Sequence, residues 1–261
     1  MDTKRYIGFK AGSLCEDSLR MELLAVQEGG FFVLNKPADI ALEAHSSLEV
    51  CPTIIGEIRG NLEKNEFKEL GITSPYSINY VDKDISGACL IACNKNACAD
   101  LRNLYGSYLM NFSYLIVTKK SILDDFVEVD LPILTPYAKE QAVVTHRFGK
   151  KCKTQFKLLS QEGSFQLWRA TTPYARRHQI RLHACEAGLK IVGDTLYSNT
   201  PMPSLSDIKR VMKYRTKETM MLYSSIAIHL ESITFGEENV EVPYSKSFGT
   251  LINKLKLKNG S

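Results

Sequence analysis

The chain has 261 residues, enough for one large or two small domains, and its hydrophobic fraction of 44% is ordinary for a soluble globular protein. Its net charge of +4 is too small to identify a nucleic-acid binder by itself. The odd number of cysteines, seven, argues against a disulfide scaffold. With no secretory signal and no apolar run of membrane-spanning length, a cytoplasmic location is expected.

The first 29 residues are expected to form a short lead-in to a single domain over 30–261. Inside this lead-in, apolar residues at helical spacing predict one modest helix over 14–26. A short strand over 31–34 follows. Pro37 ends it, because proline cannot donate a hydrogen bond to a β-ladder.

The middle of the chain mixes helices and strands. A possible helix across 54–70 precedes a buried strand over 88–93, which is apolar throughout and too short for a helix. A capped helix over 97–105 and a strand over 112–118 come next. The prolines of the 127–146 region indicate a loop-rich hairpin.

In the second half of the chain, an antiparallel strand pair is predicted over 154–171, a helix over 176–187 and a loop over 199–209. One or two further strands over 223–235 and a basic, possibly helical tail over 246–261 follow. Strands dominate and no regular βαβ alternation is present. The pattern therefore favours an α+β fold with a mostly antiparallel sheet.

A polar turn before the strand over 88–93 is the first stretch that suggests chemistry. It contains Asp82 and Asp84 and ends in Ser86 and Gly87. A carboxylate placed just before a buried strand has a rigid support that can fix its position. Without further evidence, a solvated acidic turn is the simpler interpretation.

A second dense stretch changes that interpretation. It reads Arg176-Arg177-His178-Gln179-Ile180-Arg181, and a Gly-Asp-x-x-Tyr segment follows it at 193–197. At these stretches the sequence resembles the RluA-type pseudouridine synthases. The family's His-Arg-Leu-Asp-x-x-Thr-Ser-Gly motif corresponds to residues 79–87, and its Gly-Arg-Thr-His-Gln-Ile-Arg motif corresponds to residues 175–181.

Two further matches occur in family order. Asn35-Lys36-Pro37-Ala38 resembles the family's Asn-Lys-Pro-Ala-Gly, with Asp39 where glycine is usual. Ser113-Tyr114-Leu115-Ile116-Val117 resembles the Thr-Tyr-Leu-Ala-Leu strand that carries an active-site tyrosine. The resemblance implies a pseudouridine synthase fold: a mixed, mostly antiparallel central sheet with flanking helices and a central cleft.

The resemblance also implies an activity and a set of site residues. The activity is the isomerisation of uridine to pseudouridine in structured RNA, either rRNA or tRNA, with an Asp nucleophile and no cofactor. Asp82 is the implied nucleophile or base, Arg181 the cation that keeps it ionised and in place, and Tyr114 the ring beside the base. The implied substrate-binding residues are Tyr80, Arg176, His178 and Gln179. RNA is the expected partner, with no membrane and no obligate protein partner.

The first motif departs from the family pattern, since Asn79 and Tyr80 stand where the family has His and Arg. Either Tyr80 stacks in place of that Arg when the uridine is flipped out, or the chain is a catalytically silent RNA- or ribosome-binding relative. An unrelated hydrolase that uses Asp82 and His178 is a third, weaker alternative. We expect the active enzyme.

No metal site is expected. His178 and His183 stand five residues apart, so they do not share a helix face. The cysteines show no Cys-x-x-Cys pair. A run of basic residues over 147–181 is either a solvated face or, given the motif inside it, the surface that binds RNA.

Overall fold

One large sheet organises the parts of the chain that the computed structural model describes, residues 5–44, 51–137, 139–204 and 221–259. Within these ranges eleven strands form the sheet and two more form a separate hairpin. The strands are β1 Arg5–Phe9, β2 Leu19–Gln27, β3 Phe31–Lys36, β4 Tyr76–Ser77, β5 Ser86–Ala92, β6 Met110–Lys119, β7 Phe126–Asp130, β8 Ile133–Leu134, β9 Val143–Val144, β10 Lys153–Glu162, β11 Phe165–Thr172, β12 Ile228–Phe235 and β13 Glu238–Glu241. The helices are α1 Ile54–Arg59, α2 Asn65–Glu69, α3 Lys95–Gly106, α4 Gln179–Glu186 and, for the last, α5 Lys246–Lys254.

The order across the sheet is β1-β2-β3-β5-β12-β6-β11-β10-β7, with β4 beside β5 and β13 beside β12. Within the described ranges, β5 and β12 form the parallel pair, and the other neighbours run antiparallel. The mixed, mostly antiparallel sheet expected for an α+β fold is therefore confirmed. The predicted pair over 154–171 is also confirmed, as β10 and β11.

The parallel junction requires a glycine. Gly87 on β5 has a φ of +125°, and a Cβ at this position would lie 2.3 Å from the carbonyl oxygen of Leu230 on β12. No L-side chain fits so close to another backbone. Because parallel strands start at the same edge of a sheet, this junction brings the residues before β5 and the residues before β12 together.

Both faces of the sheet are covered, as strand β6 illustrates. Leu115 and Val117 pack into a cluster that includes Phe248 and Leu251 of α5. The alternate residues Phe112, Tyr114 and Ile116 belong to the larger cluster on the other face. Successive side chains of a strand point to opposite faces of the sheet, which explains this division. Because both faces are buried, β6 is apolar along most of its length.

Three predicted elements need correction or refinement. The helix over 14–26 is wrong: residues 19–27 form β2, whose pairing register shifts between Leu23 and Ala25. The helix across 54–70 is two short helices, α1 and α2, separated after the C-cap Gly60. Helix α4 begins at Gln179, three residues later than the expected start.

The described residues bear on several other features expected from the sequence. Asn94 caps α3 by accepting a hydrogen bond from the Ala97 N–H at 3.0 Å. The seven cysteines are free thiols. None of the helices in the described ranges is both long and apolar enough to cross a membrane. Residues 1–29, expected as a lead-in, contribute β1 and β2 to the sheet. Of the loop expected over 199–209, residues 205–209 lie outside the described ranges.

Candidate active site

A cleft of about 800 Å³ lies beside the starts of β5 and β12. Its size is typical of a pocket for a small molecule or a nucleoside. The wall includes Asp82 from the turn before β5 and residues 224–226 from the segment before β12. Opposite these stand side chains from α4 and the residues that precede it, Arg177, His178 and Arg181. The cleft therefore contains most of the side chains predicted for catalysis.

Buried hydrogen bonds fix the turn that carries Asp82. Asn79 donates to the Ala88 carbonyl at 3.0 Å and accepts from the Leu90 N–H at 2.8 Å, which ties the start of the turn to β5. The Ile85 N–H donates to the Asp82 carbonyl at 3.1 Å and closes the turn. Asp82 itself is only 4% exposed. The turn is thus a rigid support rather than a solvated loop.

A buried lysine holds the same turn from the side of β3. Lys36 is fully buried, and its Nζ donates to the carbonyls of Pro37, Ile40 and Lys83 at 2.9, 2.7 and 3.0 Å. Burial lowers its pKa to about 8, although the charge of Asp82 opposes that shift. The amine therefore remains an ammonium at neutral pH, and its three protons match the three carbonyls.

The position that follows Ala38 departs from the family pattern, and its backbone conformation shows why glycine is usual there. Asp39 stands where glycine is usual, and its φ of +67° lies in the left-handed region that favours glycine. Aspartate tolerates this region better than most side chains. Its carboxylate accepts a hydrogen bond from the Ser225 hydroxyl at 3.0 Å, and Ser225 also lies 2.8 Å from the Asp84 carbonyl.

His178 contacts Asp82 through its backbone. The His178 N–H donates to Asp82 Oδ1 at 3.2 Å, and the ring Nε2 lies 4.0 Å from the same oxygen. His178 is the N-cap of the helix that starts at the next residue and has a φ of +58°, and its N–H has no acceptor within that helix. Burial lowers the pKa of His178; the charge of Asp82 opposes this shift, and nearby Arg181 and Arg177 add to it. The ring is therefore neutral at pH 7, and its Nδ1 lies 2.8 Å from the Tyr197 hydroxyl.

Arg181 makes its direct ion pair with Asp194 rather than with Asp82. Its Nε and Nη2 each lie 2.9 Å from a carboxylate oxygen of Asp194, and both side chains are buried. Burial alone would lower the pKa of Arg181. The hydrogen bonds to Asp194 and the charge of Asp82 outweigh that effect and raise it. Arg181 thus lines the cleft as a permanently charged group whose geometry is set by Asp194.

Tyr114 lies on β6 and is buried in the core, and it is not among the described residues that line the cleft. Burial raises its pKa well above the ordinary value, and the charge of Asp82 raises it further. The phenol therefore keeps its proton at neutral pH. A buried phenol near a carboxylate can donate a hydrogen bond, but it cannot serve as a base there.

The remaining predicted residues are divided between the cleft and its surroundings. Tyr80 is half-buried and lines the cleft. Arg176 lies outside the cleft, with its guanidinium 5.0 Å from the centre of the Tyr174 ring. Gln179, the first residue of α4, is buried, and its amide donates to the Thr172 and Thr154 hydroxyls at 2.8 and 3.1 Å.

Several functional contacts were not predicted from sequence. The sequence shows Asp194 only as part of a motif, yet it pairs with Arg181. Lys36 likewise appears only in a matched segment, yet it anchors the turn. Both residues lie in matched motifs, which was the available signal. Among the described residues, no group of three or more His, Cys, Asp or Glu side chains could hold a metal ion.

The sequence and the fold both have known relatives. Residues 30–186 match the family described as RNA pseudouridylate synthase. The uncharacterized RNA pseudouridine synthase YlyB of Bacillus subtilis (strain 168) is 30% identical over 127 residues, 49% of this chain and 42% of the relative. The ribosomal large subunit pseudouridine synthase C of Escherichia coli (strain K12) is 26% identical over 180 residues, 68% of this chain and 54% of the relative. The chain thus spans about half the length of these two relatives.

Solved structures with the same fold are more distant in sequence. Human RNA Pseudouridylate Synthase Domain Containing 4 superposes with a TM-score of 0.65 at 17% identity, covering 90% of this chain and 93% of that one. Human RNA Pseudouridylate Synthase Domain Containing 1 gives 0.56 at 16% identity, covering 92% and 96%. The fold is therefore that of these domains. Since the family match also covers more than half of the sequence, the chain belongs to the RNA pseudouridylate synthase family.

Proposed function

We propose that this protein isomerises uridine to pseudouridine in structured RNA, with Asp82 as the nucleophile and no cofactor. One observation carries the proposal: a buried carboxylate lies in the cleft at the family's motif position, with the His178 N–H bonded to it and Arg181 in the same wall. An ionised carboxylate in such a place can attack a sugar carbon or accept a proton.

The reaction is an isomerisation in which no atom is added or removed overall, so it needs few catalytic groups. The bond from ribose C1′ to N1 of uracil breaks, the base turns, and C1′ bonds to C5. The proton of C5 leaves, and N1 gains one. The Asp82 carboxylate bonds to C1′ as the bond to N1 breaks, and it is displaced when C5 bonds to C1′; once free, it can accept the proton that leaves C5. Arg181 stabilises negative charge in the cleft, and Tyr114 packs beneath the base as a hydrogen-bond donor, since its phenol remains protonated.

Of the other predicted residues, two contact the RNA and two hold the site in position. Tyr80 stacks on bases near the flipped uridine, and Arg176 contacts the RNA outside the cleft. His178 positions Asp82 through its N–H, and Gln179 fixes the start of α4 against β10 and β11. The name of the Escherichia coli relative favours ribosomal RNA as the substrate over tRNA. The enzyme acts in the cytoplasm, without a membrane or an obligate protein partner.

The deciding experiment maps pseudouridine in cellular RNA with and without the gene. The expected result is the loss of one or a few sites, and the purified protein should restore them on the same transcript in the presence of a chelator. No lost site and no product on any transcript would favour the catalytically silent alternative. Activity that returns only with added metal, on an RNA that folds without it, would contradict the absence of a cofactor.

A further inference from the structure

A second concave surface adjoins the cleft and has no role in the chemistry described above. It encloses about 680 Å³ and shares Tyr80 and Arg177 with the cleft wall. We call it the flank groove. Its other described lining residues are Glu43, Ala44, Ser77, Ile78, Asn79, Arg102, Tyr105, Ile133, Thr135, Lys150, Ala175 and Arg176. The shared residues mean that a chain occupying the groove reaches the cleft at Tyr80.

The two concavities differ in charge. The described cleft wall contains four carboxylates and three cations, and one of these cations, Arg181, is already paired with Asp194; the carboxylates are Asp39, Asp82, Asp84 and Glu140, and the cations are Lys83, Arg177 and Arg181. The described lining of the flank groove contains four cations and one carboxylate, which are Arg102, Lys150, Arg176, Arg177 and Glu43. Phosphates are therefore attracted more strongly to the groove than to the cleft, whereas the charge of the cleft wall matters little to a neutral uracil.

The single carboxylate of the groove is largely neutralised. Glu43 lies 3.5 Å from the guanidinium of Arg59 and accepts a hydrogen bond from the Ser77 hydroxyl. By contrast, Arg102 and Lys150 are exposed, and neither forms an ion pair with a described residue. Their charges are thus available to a ligand.

The groove is also rigid. Lys150 is held at its edge by two backbone hydrogen bonds of 2.9 Å with Ile133. The Tyr105 hydroxyl accepts from the Ala175 N–H at 3.0 Å, which joins α3 to the segment before α4. Arg176 is held by its donation to the Lys151 carbonyl at 3.3 Å. The backbone that carries Lys150 and the side chain of Arg176 are therefore held in place, which limits the ordering needed when an anion binds.

We propose that the flank groove binds the sugar–phosphate backbone of the RNA strand on one side of the target uridine. This inference rests on the proposed function, because it assumes that the uridine itself enters the cleft. Tyr80 stands at the point where the strand would pass from groove to cleft, with Arg177 beside it. Arg102 and Lys150 contact successive phosphates, and the recognition is independent of base sequence.

The test uses labelled oligouridylates of increasing length, bound to the full chain at several salt concentrations. The groove variant is Arg102→Gln with Lys150→Gln. The matched control is Lys246→Gln with Lys254→Gln on α5, since both of these lysines are exposed and neither lines a concavity. The shortest oligomers, which fill only the cleft, should bind the groove variant and the wild type equally. The longest should bind the groove variant about tenfold more weakly, with a salt slope smaller by about 1.4 for two lost single-strand contacts.

Turnover on RNA separates this inference from the proposed function. With an active wild type, the groove variant should raise KM and leave kcat unchanged. Equal affinity at all lengths, or the same loss in the control variant, would overturn the groove assignment. A wild type that makes no pseudouridine, but whose groove variant shows the length-dependent loss, would support the groove and overturn the proposed function.

Discussion

The backbone N–H of His178 donates a hydrogen bond to Oδ1 of Asp82 over 3.2 Å, although 96 residues separate them in the chain. His178 is the N-cap of the helix that follows, so its N–H has no acceptor within that helix. A peptide N–H can hold a carboxylate without exchanging a proton with it. This hold on the Asp82 carboxylate therefore does not depend on the protonation state of the His178 ring.

Asp82→Asn should abolish activity while preserving the fold. The amide oxygen still accepts the His178 N–H, but the neutral side chain cannot act as a nucleophile. We expect turnover to fall by at least about a thousandfold, with an unchanged thermal unfolding midpoint. Asp84→Asn, two residues along the same turn, is the matched control and should retain most activity. Wild-type turnover in Asp82→Asn would show that another residue is the nucleophile.

Removing the charge of Asp194 should destabilise the protein and reduce turnover together. Asp194→Asn can still accept from the N–H groups of Leu196 and Tyr197, so the loop is kept. Arg181 is then left as a buried unpaired charge, which costs roughly 3–5 kcal/mol. Denaturant unfolding and a turnover assay measure the two effects.

The double variant with Arg181→Met separates stability from chemistry. It removes the unpaired charge, so much of the lost free energy of unfolding should return. Turnover should not return, because the cation of the cleft is gone. A double variant as active as the wild type would mean that the charge of Arg181 plays no part in the reaction.

Tyr80→Ala should affect structured RNA more than unstructured RNA. Stacking of a ring on a base left by the flipped uridine is worth about 1–3 kcal/mol, or roughly 5- to 150-fold in rate. An unstructured oligonucleotide needs little flipping and should lose less. Tyr80→Arg should recover a substantial part, while Tyr6→Ala on β1 controls for the loss of a surface ring. Equal loss on both substrates would mean that Tyr80 only supports the Asp82 turn.

Buried His229 should make the fold sensitive to acid. Its Nε2 lies 3.0 Å from the Val242 carbonyl, which only accepts, so Nε2 carries the proton and Nδ1 accepts from the Ser86 hydroxyl at 2.9 Å. Burial lowers the pKa of His229 from 6.5 to about 4. The unfolded chain therefore binds a proton more readily than the folded one, and stability falls as the pH drops from 6.5 to about 4.

The contribution of His229 over that window should be about 3 kcal/mol. Burial also lowers the pKa values of His178 and His183, which act in the same direction, so the His229 share is found by difference. His229→Gln should flatten the pH dependence of the free energy of unfolding by that amount, with the exposed His146→Gln as the control substitution. An unaltered pH profile in His229→Gln would refute the assignment.

Sequence patterns predicted the centre of the fold better than its edge. Strands β5 and β6 are buried on both faces, so continuous apolar runs revealed them. Strand β2 was mistaken for a helix because its register shift at Leu23 and Ala25 disturbs the alternation that marks a strand. Such a shift depends on pairing with β3 and leaves no reliable local signal.

The candidate site shows the same division between local and non-local information. The motifs indicated Asp82 and Arg181, and both line the cleft. The direct partner of Arg181 could not be read from charge alone, since Asp82, Asp84 and Asp194 were all available carboxylates. The folded geometry decides between them: Asp194 offers both oxygens to the guanidinium, each at 2.9 Å.

Hydrogen bonds from three remote parts of the chain hold the turn that carries Asp82. Lys36 reaches Lys83 across 47 residues, His178 reaches Asp82 across 96, and Ser225 reaches Asp84 across 141. A growing polypeptide that has not yet reached Ser225 lacks the last of these contacts. The full set of contacts to this turn can therefore form only late in synthesis, and a chain cut short before that point has Asp82 but not all the contacts that hold its turn.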